Sequence, residues 1–508
     1  NAAYYGTTTD DCIAIGRNAL LGVSGQTTGN QNIAIGTYSL DAATTATETT
    51  AVGSYAGSAI SSGNANVLIG KNSGDAITTS HNNTAVGSYS LSTTIDGANN
   101  AAFGYAALGN ADCGDDNTAI GQGALAVATG NANTAVGSAA ADAITSGTGI
   151  VAVGYAALSV SNDGNYNTAI GNLAMADGQA EDDNTAVGYE ALKSCTNSDN
   201  VAIGSRAMKY STSTSDCVAV GRNALGGDGS TAPTGDYNIG IGAYSLDAST
   251  TGHSNVAVGY GSGTAITSSS NVVAIGFQAL ESEDQGGNTV AVGYRALQDQ
   301  NVNSANNTAV GSHAGLNLTT AVDSVYIGYN AGGSGTITGS YNTVIGKSAG
   351  YDLTSGSHNC LIGADAGTNF TNNTSNIAIG FNALDAANDG ENYNIAIGVG
   401  SLGEETSGAD GCVAIGHLAL NDQNVADANN TAIGYNSAQE LTTGTDNTFL
   451  GYFAGANGII TGDNNVVLGG RAAFDLTSGH SNVIIGKNAA QNFTANNNNV
   501  VIGIDALE

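Results

Sequence analysis

The stretch Asn82–Leu91 reads "NNTAVGSYSL", and near-copies of it recur along the chain. "DNTAIGQGAL" starts at Asp116, "DNTAVGYEAL" at Asp183 and "NNTAIGYNSA" at Asn429. Taking the glycine that closes each Ala-Val/Ile-Gly phrase as a marker gives 29 positions from Gly16 to Gly503, among them Gly121, Gly204, Gly221 and Gly380. They lie mostly 16–18 residues apart, and only the intervals before Gly36 (20 residues) and Gly242 (21 residues) are longer. A fixed short period over a whole chain is the signature of stacked repeats. The reading is therefore one continuous array over residues 1–508, with both ends cut inside a coil.

The phrase itself specifies the local structure. Alternation over "NTAVG" has period two, which means a short strand. Val201 and Ile203 fall on one face, Ala202 and Gly204 on the other. A second short strand is expected near "YEAL" (residues 189–192), with Gly/Ser/Thr/Asn/Asp-rich turns completing each coil. Coils of about 17 residues stacked about 4.8 Å apart make an all-β parallel β-solenoid of about 29 coils, extended as a rod. The Asn four residues before each marker is read as a stacked turn residue bonding along the axis. The marker glycine is read as a site of positive φ or of close backbone approach.

The aliphatic side chains are expected to fill the coil interior. The Ala/Gly face, uniform in nearly every coil, is expected to receive a second copy of the chain, because small residues in register let another backbone approach. Side-by-side association of two or three identical chains follows. The alternative is that Ala and Gly fill a narrow interior.

Composition bounds the function classes. The chain has 508 residues with 74 Gly, one Pro, no Trp and a net charge of −32 from 42 acidic and 10 basic residues. Such an acidic balance argues against nucleic acid and anionic membranes as partners, since both require basic patches. There is no apolar run of about 18 residues, hence no expected membrane span.

Phrases such as "NVAIGSRAM" from Asn200, "NIAIGFNAL" from Asn376 and "NTAIGNLAM" from Asn167 resemble the head repeat of YadA-like trimeric autotransporter adhesins. Similar repeats occur in phage tail fibres and other bacterial surface fibres. The resemblance covers nearly the whole chain and implies a left-handed parallel β-roll, three chains around a common axis, and adhesion to host surfaces or matrix. The repeat here is longer than that family's usual one of about 14 residues, and no heptad stalk, neck or anchor barrel is legible.

The candidate sites are few. The longer intervals place two candidate contact loops, Leu21–Gln31 and Gly226–Asp236, the latter holding the only Pro, Pro233. Rows of Tyr just after the marker, such as Tyr38, Tyr55, Tyr260 and Tyr294, are read as a self-stacking ladder in preference to sugar platforms. The acidic clusters Asp10-Asp11, Asp115-Asp116 and Glu181-Asp182-Asp183 lack the spacing of known calcium loops. They are read as solvated charge, with Ca²⁺ as the weaker alternative and no other cofactor. Six Cys fit no disulfide framework; Cys12, Cys217 and Cys412 take the place of the turn Asn. Six scattered His have no metal-ligand spacing, and no catalytic set emerges, so no enzymatic activity is expected. The expected role is a non-enzymatic extracellular fibre segment at a cell surface or on a virion. It would bind cell-surface glycans or matrix by multivalent loop contacts; the alternative is a self-assembling structural filament.

Overall fold

The computed structural model describes residues 11–22, 29–160, 163–179, 181–227, 229, 232–284, 286–302, 305–386, 390–404, 410–425 and 428–507. It divides into two compact units, residues 1–254 and 255–508. The first holds fourteen three-residue strands, from β1 (Ile13–Ile15) to β14 (Ile239–Ile241), and the second fifteen, from β15 (Val256–Val258) to β29 (Val500–Ile502). Within each unit successive strands pair in parallel, one coil on, with identical register, as in Val201↔Val218, Ala202↔Ala219 and Ile203↔Val220. Each unit is a parallel β-solenoid with one strand per coil. No second strand forms near "YEAL": residues 189–192 are a turn.

That turn replaces the expected strand because its backbone alternates hand. The residues two and four positions after the marker have positive φ, as in Glu190 (53°) and Leu192 (49°) or Tyr38 (59°) and Leu40 (50°). A left-handed non-glycine residue costs about 1–2 kcal/mol. The offset is visible in the bonds: Tyr55 N donates to Thr37 O at 2.9 Å and Leu40 N to Ala56 O at 3.1 Å. The turn is thus hydrogen-bonded along the axis as a strand would be, while its side chains alternate between outside and core.

The turn Asn stacks as expected and does two jobs. Asn66 Oδ1 accepts from Asn83 N (2.9 Å), Asn83 Oδ1 from Asn100 N (2.9 Å), and Asn100 Oδ1 from Asn117 N (2.8 Å). The same amides donate from Nδ2 to a turn carbonyl: Asn66 to Ser80 O (2.9 Å), Asn83 to Gly97 O (2.9 Å). Each Asn therefore ties two points of the next coil, and these side chains are buried. The marker glycines satisfy both halves of their reading. Gly121, Gly204, Gly221, Gly380 and Gly503 have φ of 136°, 133°, 135°, 143° and 140°. A Cβ built on Gly204 would lie 2.5 Å from Gly221 O, so no side chain fits.

The core reverses the expected facing. Ala202 is fully buried, whereas Ile203 is 41% exposed and Val201 half-buried. Every described strand from the second onward repeats this, with its middle residue buried. The interior is narrow: most coils place in it the middle Ala, a second Ala or Ser three residues after the marker, and one large side chain, while a few bury a large mid-strand residue as well, such as Leu68, Leu361 and Phe449. That large residue is Leu or Met four residues after the marker (Leu40, Leu91, Met208), or Ile, Leu or Phe seven residues after it (Ile60, Ile77, Phe370). Where the later position is large, the earlier one is Gly or Ala, as at Gly57, Gly74, Ala141 and Gly367. A Cβ on Gly57 would sit 2.8 Å from Leu68 Cδ1 and 3.1 Å from Ile60 Cδ1.

Candidate functional site

Since Ala faces inward, the outward strand positions are the β-branched ones. Position three of every described strand is Val, Ile, Leu or Phe, and position one is Val, Ile, Thr, Ala or Cys. Neither position carries a charged residue in any of the 29 strands, where the chain's 10% charged content would place about six. Many of these side chains are exposed, including Ile69, Phe103, Ile120, Ile170, Ile241 and Leu450. Tyr105, Tyr155, Tyr189, Tyr294 and Tyr452, one residue after the marker, widen the stripe.

Rings on successive coils stack. Tyr38 and Tyr55 lie 5.1 Å apart at 12°, and Tyr260, Phe277 and Tyr294 form a run with 5.4 Å steps at 13° and 11°. His417 continues the same pattern onto Tyr435, 4.9 Å away at 7°. In such a run each inner ring has both faces covered by neighbours, so only edges remain for a partner. The self-stacking ladder is the geometry found in these runs.

Of the two candidate loops, residues 23–28, 228 and 230–231 lie outside the described residues. Leu21 is half-buried and Gln31 exposed with φ 60°. Gly226 and Pro233 are buried; Thr212 N donates to Pro233 O at 3.3 Å. Asp236 Oδ1 accepts from Ser215 N at 2.8 Å, a structural bond between coils. The exposed members of the second loop are Gly229 and Thr234, with Tyr237 just beyond. The two loops begin at equivalent positions twelve coils apart in the first unit, about 58 Å at the usual spacing, so they are not brought together.

The second loop borders a cluster that sequence reasoning did not single out. Glu190, whose side chain is 8% exposed, holds Lys209 Nζ at 2.7 Å and Arg206 Nε at 3.1 Å on Oε2, with Lys193 Nζ 3.4 Å from Oε1. Lys193 also reaches Asp177 Oδ2 at 3.2 Å. Burial alone would raise the Glu190 pKa, but the bonds from Lys209 and Arg206 and the charges of Lys209 and Lys193 bring it down to about 2. Arg206 lies over the Tyr189 ring and Lys209 over Tyr210. Next to them is a hollow of about 190 Å³ lined by Arg206, Lys209, Tyr210, Asn223, Gly226 and Gly227. The available signal was that Lys193, Arg206, Lys209 and Arg222 are four of only ten cations in the chain.

The remaining candidates are structural. Cys217 N accepts its place in the Asn column by donating to Asn200 Oδ1 (3.2 Å), while its Sγ receives Asn238 N (3.4 Å). Cys12 and Cys412 sit in the same column. All six Cys are free thiols, and burial pushes Cys113 and Cys217 up to about 11, which leaves them unreactive. Asp10 lies outside the described residues. Asp115 Oδ1 accepts from Ala98 N (2.8 Å) and Asp182 Oδ1 from Asn165 N (2.7 Å), so both acidic clusters include a member bonded to the preceding coil. Among the described residues no three His, Cys, Asp or Glu come close enough to hold a metal ion, and no helix is long and apolar enough to cross a membrane.

No family model matches this chain, and no curated protein does either.

Proposed function

We propose that this chain is a segment of a non-enzymatic extracellular fibre, at a cell surface or on a virion, built from several copies of itself. The carrying observation is the outward strand stripe, free of charge in every described strand and apolar at the third position of each. A solvent-facing strand normally takes charged residues such as Lys or Glu, and a flat, uncharged and largely apolar sheet face in water is an association surface. Only a partner with the same coil spacing stays in register along such a stripe, and a second copy has it by construction.

The area is adequate. Fourteen coils at about 4.8 Å run about 65 Å, and a strip about 10 Å wide then offers roughly 650 Å². A standard interface buries about 800 Å² per partner. In this reading the strand face is the self-association surface, three copies being what the resemblance implies, and exposed loop residues such as Thr234 and Tyr237 reach other surfaces. Many weak contacts repeated along a multimer sum to avidity.

The test is Ile203→Glu together with Ile170→Glu, read by light scattering. Both positions are exposed in the isolated chain, so the coils should fold with unchanged circular dichroism while a defined oligomer falls to monomer. An unchanged mass would remove the strand face from the assembly. An open-ended size distribution in the parent protein would favour the structural filament over a closed fibre.

A further inference from the structure

We propose that the hollow beside Arg206, Lys209 and Tyr210 binds a single carboxylate carried on an otherwise uncharged saccharide. The inference deepens the adhesive reading, and rests on it only for the saccharide that carries the acid.

The hollow arises from a local break in the repeat. Five and six residues after the marker, two successive coils carry Lys193-Ser194 and Lys209-Tyr210, whereas the next carries Gly226-Gly227. The missing side chains leave the space open above Arg206 and Lys209. The far wall is held in place: a Cβ on Gly227 would meet Pro233 Cδ at 3.0 Å and Tyr210 Cβ at 3.3 Å. The only Pro of the chain thus presses the loop against the Tyr210 coil.

Among the described residues, the ion pairs at that point leave a positive surplus. Lys193, Arg206 and Lys209 face two carboxylates, Glu190 and Asp177. Lys193 and Lys209 side chains are 20% and 14% exposed, while Arg206 is half exposed and gives Glu190 its Nε. The same guanidinium also hydrogen-bonds the Tyr189 side chain, and its solvent-open half remains for a ligand. A guanidinium fork matches a planar carboxylate through two parallel hydrogen bonds, and Asn223 lines the same hollow. The buried Glu190 holds both cations in place before a ligand arrives, so little ordering is needed on binding.

Size and field narrow the ligand. Pockets that enclose a whole small molecule run to about 300–1,000 Å³, so about 190 Å³ admits an acid group and part of the ring bearing it. A chain of net charge −32 repels any densely charged polyanion beyond the reach of this one patch. A lone acidic sugar on a neutral glycan avoids that repulsion.

Isothermal titration of the full chain with methyl β-glucuronide tests this, with neutral methyl β-glucoside as comparator. Saturable glucuronide binding is expected, with the glucoside at least about tenfold weaker. Arg206→Gln should weaken glucuronide by about tenfold or more, whereas Arg295→Gln, which removes a cation elsewhere, should change it less than about twofold. Gly226→Met fills the hollow with every charge kept, at a position where neighbouring coils already carry Lys, and should abolish binding with unchanged circular dichroism. Equal binding of the two sugars, no saturable binding, or a Gly226→Met protein that binds normally would each overturn the proposal. Light scattering on the same samples separates the readings: oligomers without glucuronide binding sink this site and leave the fibre standing.

Discussion

At the scale of single residues, the repeated Gly and Asn are explained by the coil stacked next to them. Gly204→Ala would put a methyl 2.5 Å from Gly221 O at φ +133°, and we expect a loss of roughly 2–4 kcal/mol, read as early melting of that coil by hydrogen exchange. A second expectation concerns Asp385. Burial first, then repulsion by Asp365 and Glu404, raises its pKa from 3.8 to about 6. A folded-state pKa above the unfolded one means that the ionised form is the disfavoured one in the fold. Stability should therefore rise as pH falls from about 7 towards 4 and level off below. Asp385→Asn should remove that slope and raise the melting temperature at pH 7 but not at pH 4. An undiminished slope in the variant would assign the pH dependence to other carboxylates.

At the scale of the element, one coil is a volume-matching problem. In most coils the turn contributes one large interior side chain, four or seven residues past the marker, and the two positions compensate. Leu91 is paired with Thr94, whereas the preceding coil pairs Gly74 with Ile77; all but Gly74 are fully buried side chains. Leu91→Gly alone should cost about 2–5 kcal/mol through the cavity it leaves. Thr94→Ile alone overfills the coil and breaks the 3.0 Å contact of Thr94 Oγ1 with Cys113 Sγ, for about 1–3 kcal/mol. The double variant recreates the pattern of the coil built on Ala51, Gly57 and Ile60 and should recover at least about 1 kcal/mol relative to the sum, measured by a double-mutant cycle. Strict additivity would refute the compensation. The alternation of Leu and Gly after the marker was legible in the sequence as a pattern. Its reason was not, because the partner position lies three residues further on in a segment that reads as loop filler.

At the scale of the whole molecule, two opposed features set behaviour in solution: an uncharged stripe along the strands of each unit and a net charge of −32. Like charges on two approaching copies repel over roughly a Debye length, about 30 Å at 0.01 M salt and about 8 Å at 0.15 M. Association through the stripe should therefore strengthen as NaCl rises from about 0.01 to 0.3 M, with the sedimentation coefficient increasing and then levelling. A coefficient that falls with salt would mean that ion pairs, not the apolar stripe, hold the copies together. The cationic cluster around Glu190 was only half visible beforehand. Four cations close together in an acidic chain is a compositional signal, but Glu190 and Arg206 meet only because one coil lies on the next.

What the sequence settled by itself was everything that depends on periodicity and on backbone chemistry. The 17-residue period, the strand at each "TAVG", the axial Asn column and the crowded glycines all follow from identical residues being forced into register, which needs no knowledge of which face is inside. Only the tertiary structure decided the facing. A period-two pattern of Ala against Val and Ile defines two faces and is symmetric as to which is buried. The choice is made by the turn, where Leu held at positive φ swings into the interior and takes the room an aliphatic strand residue would need. Ala is then the residue that fits, and Val and Ile are left outside.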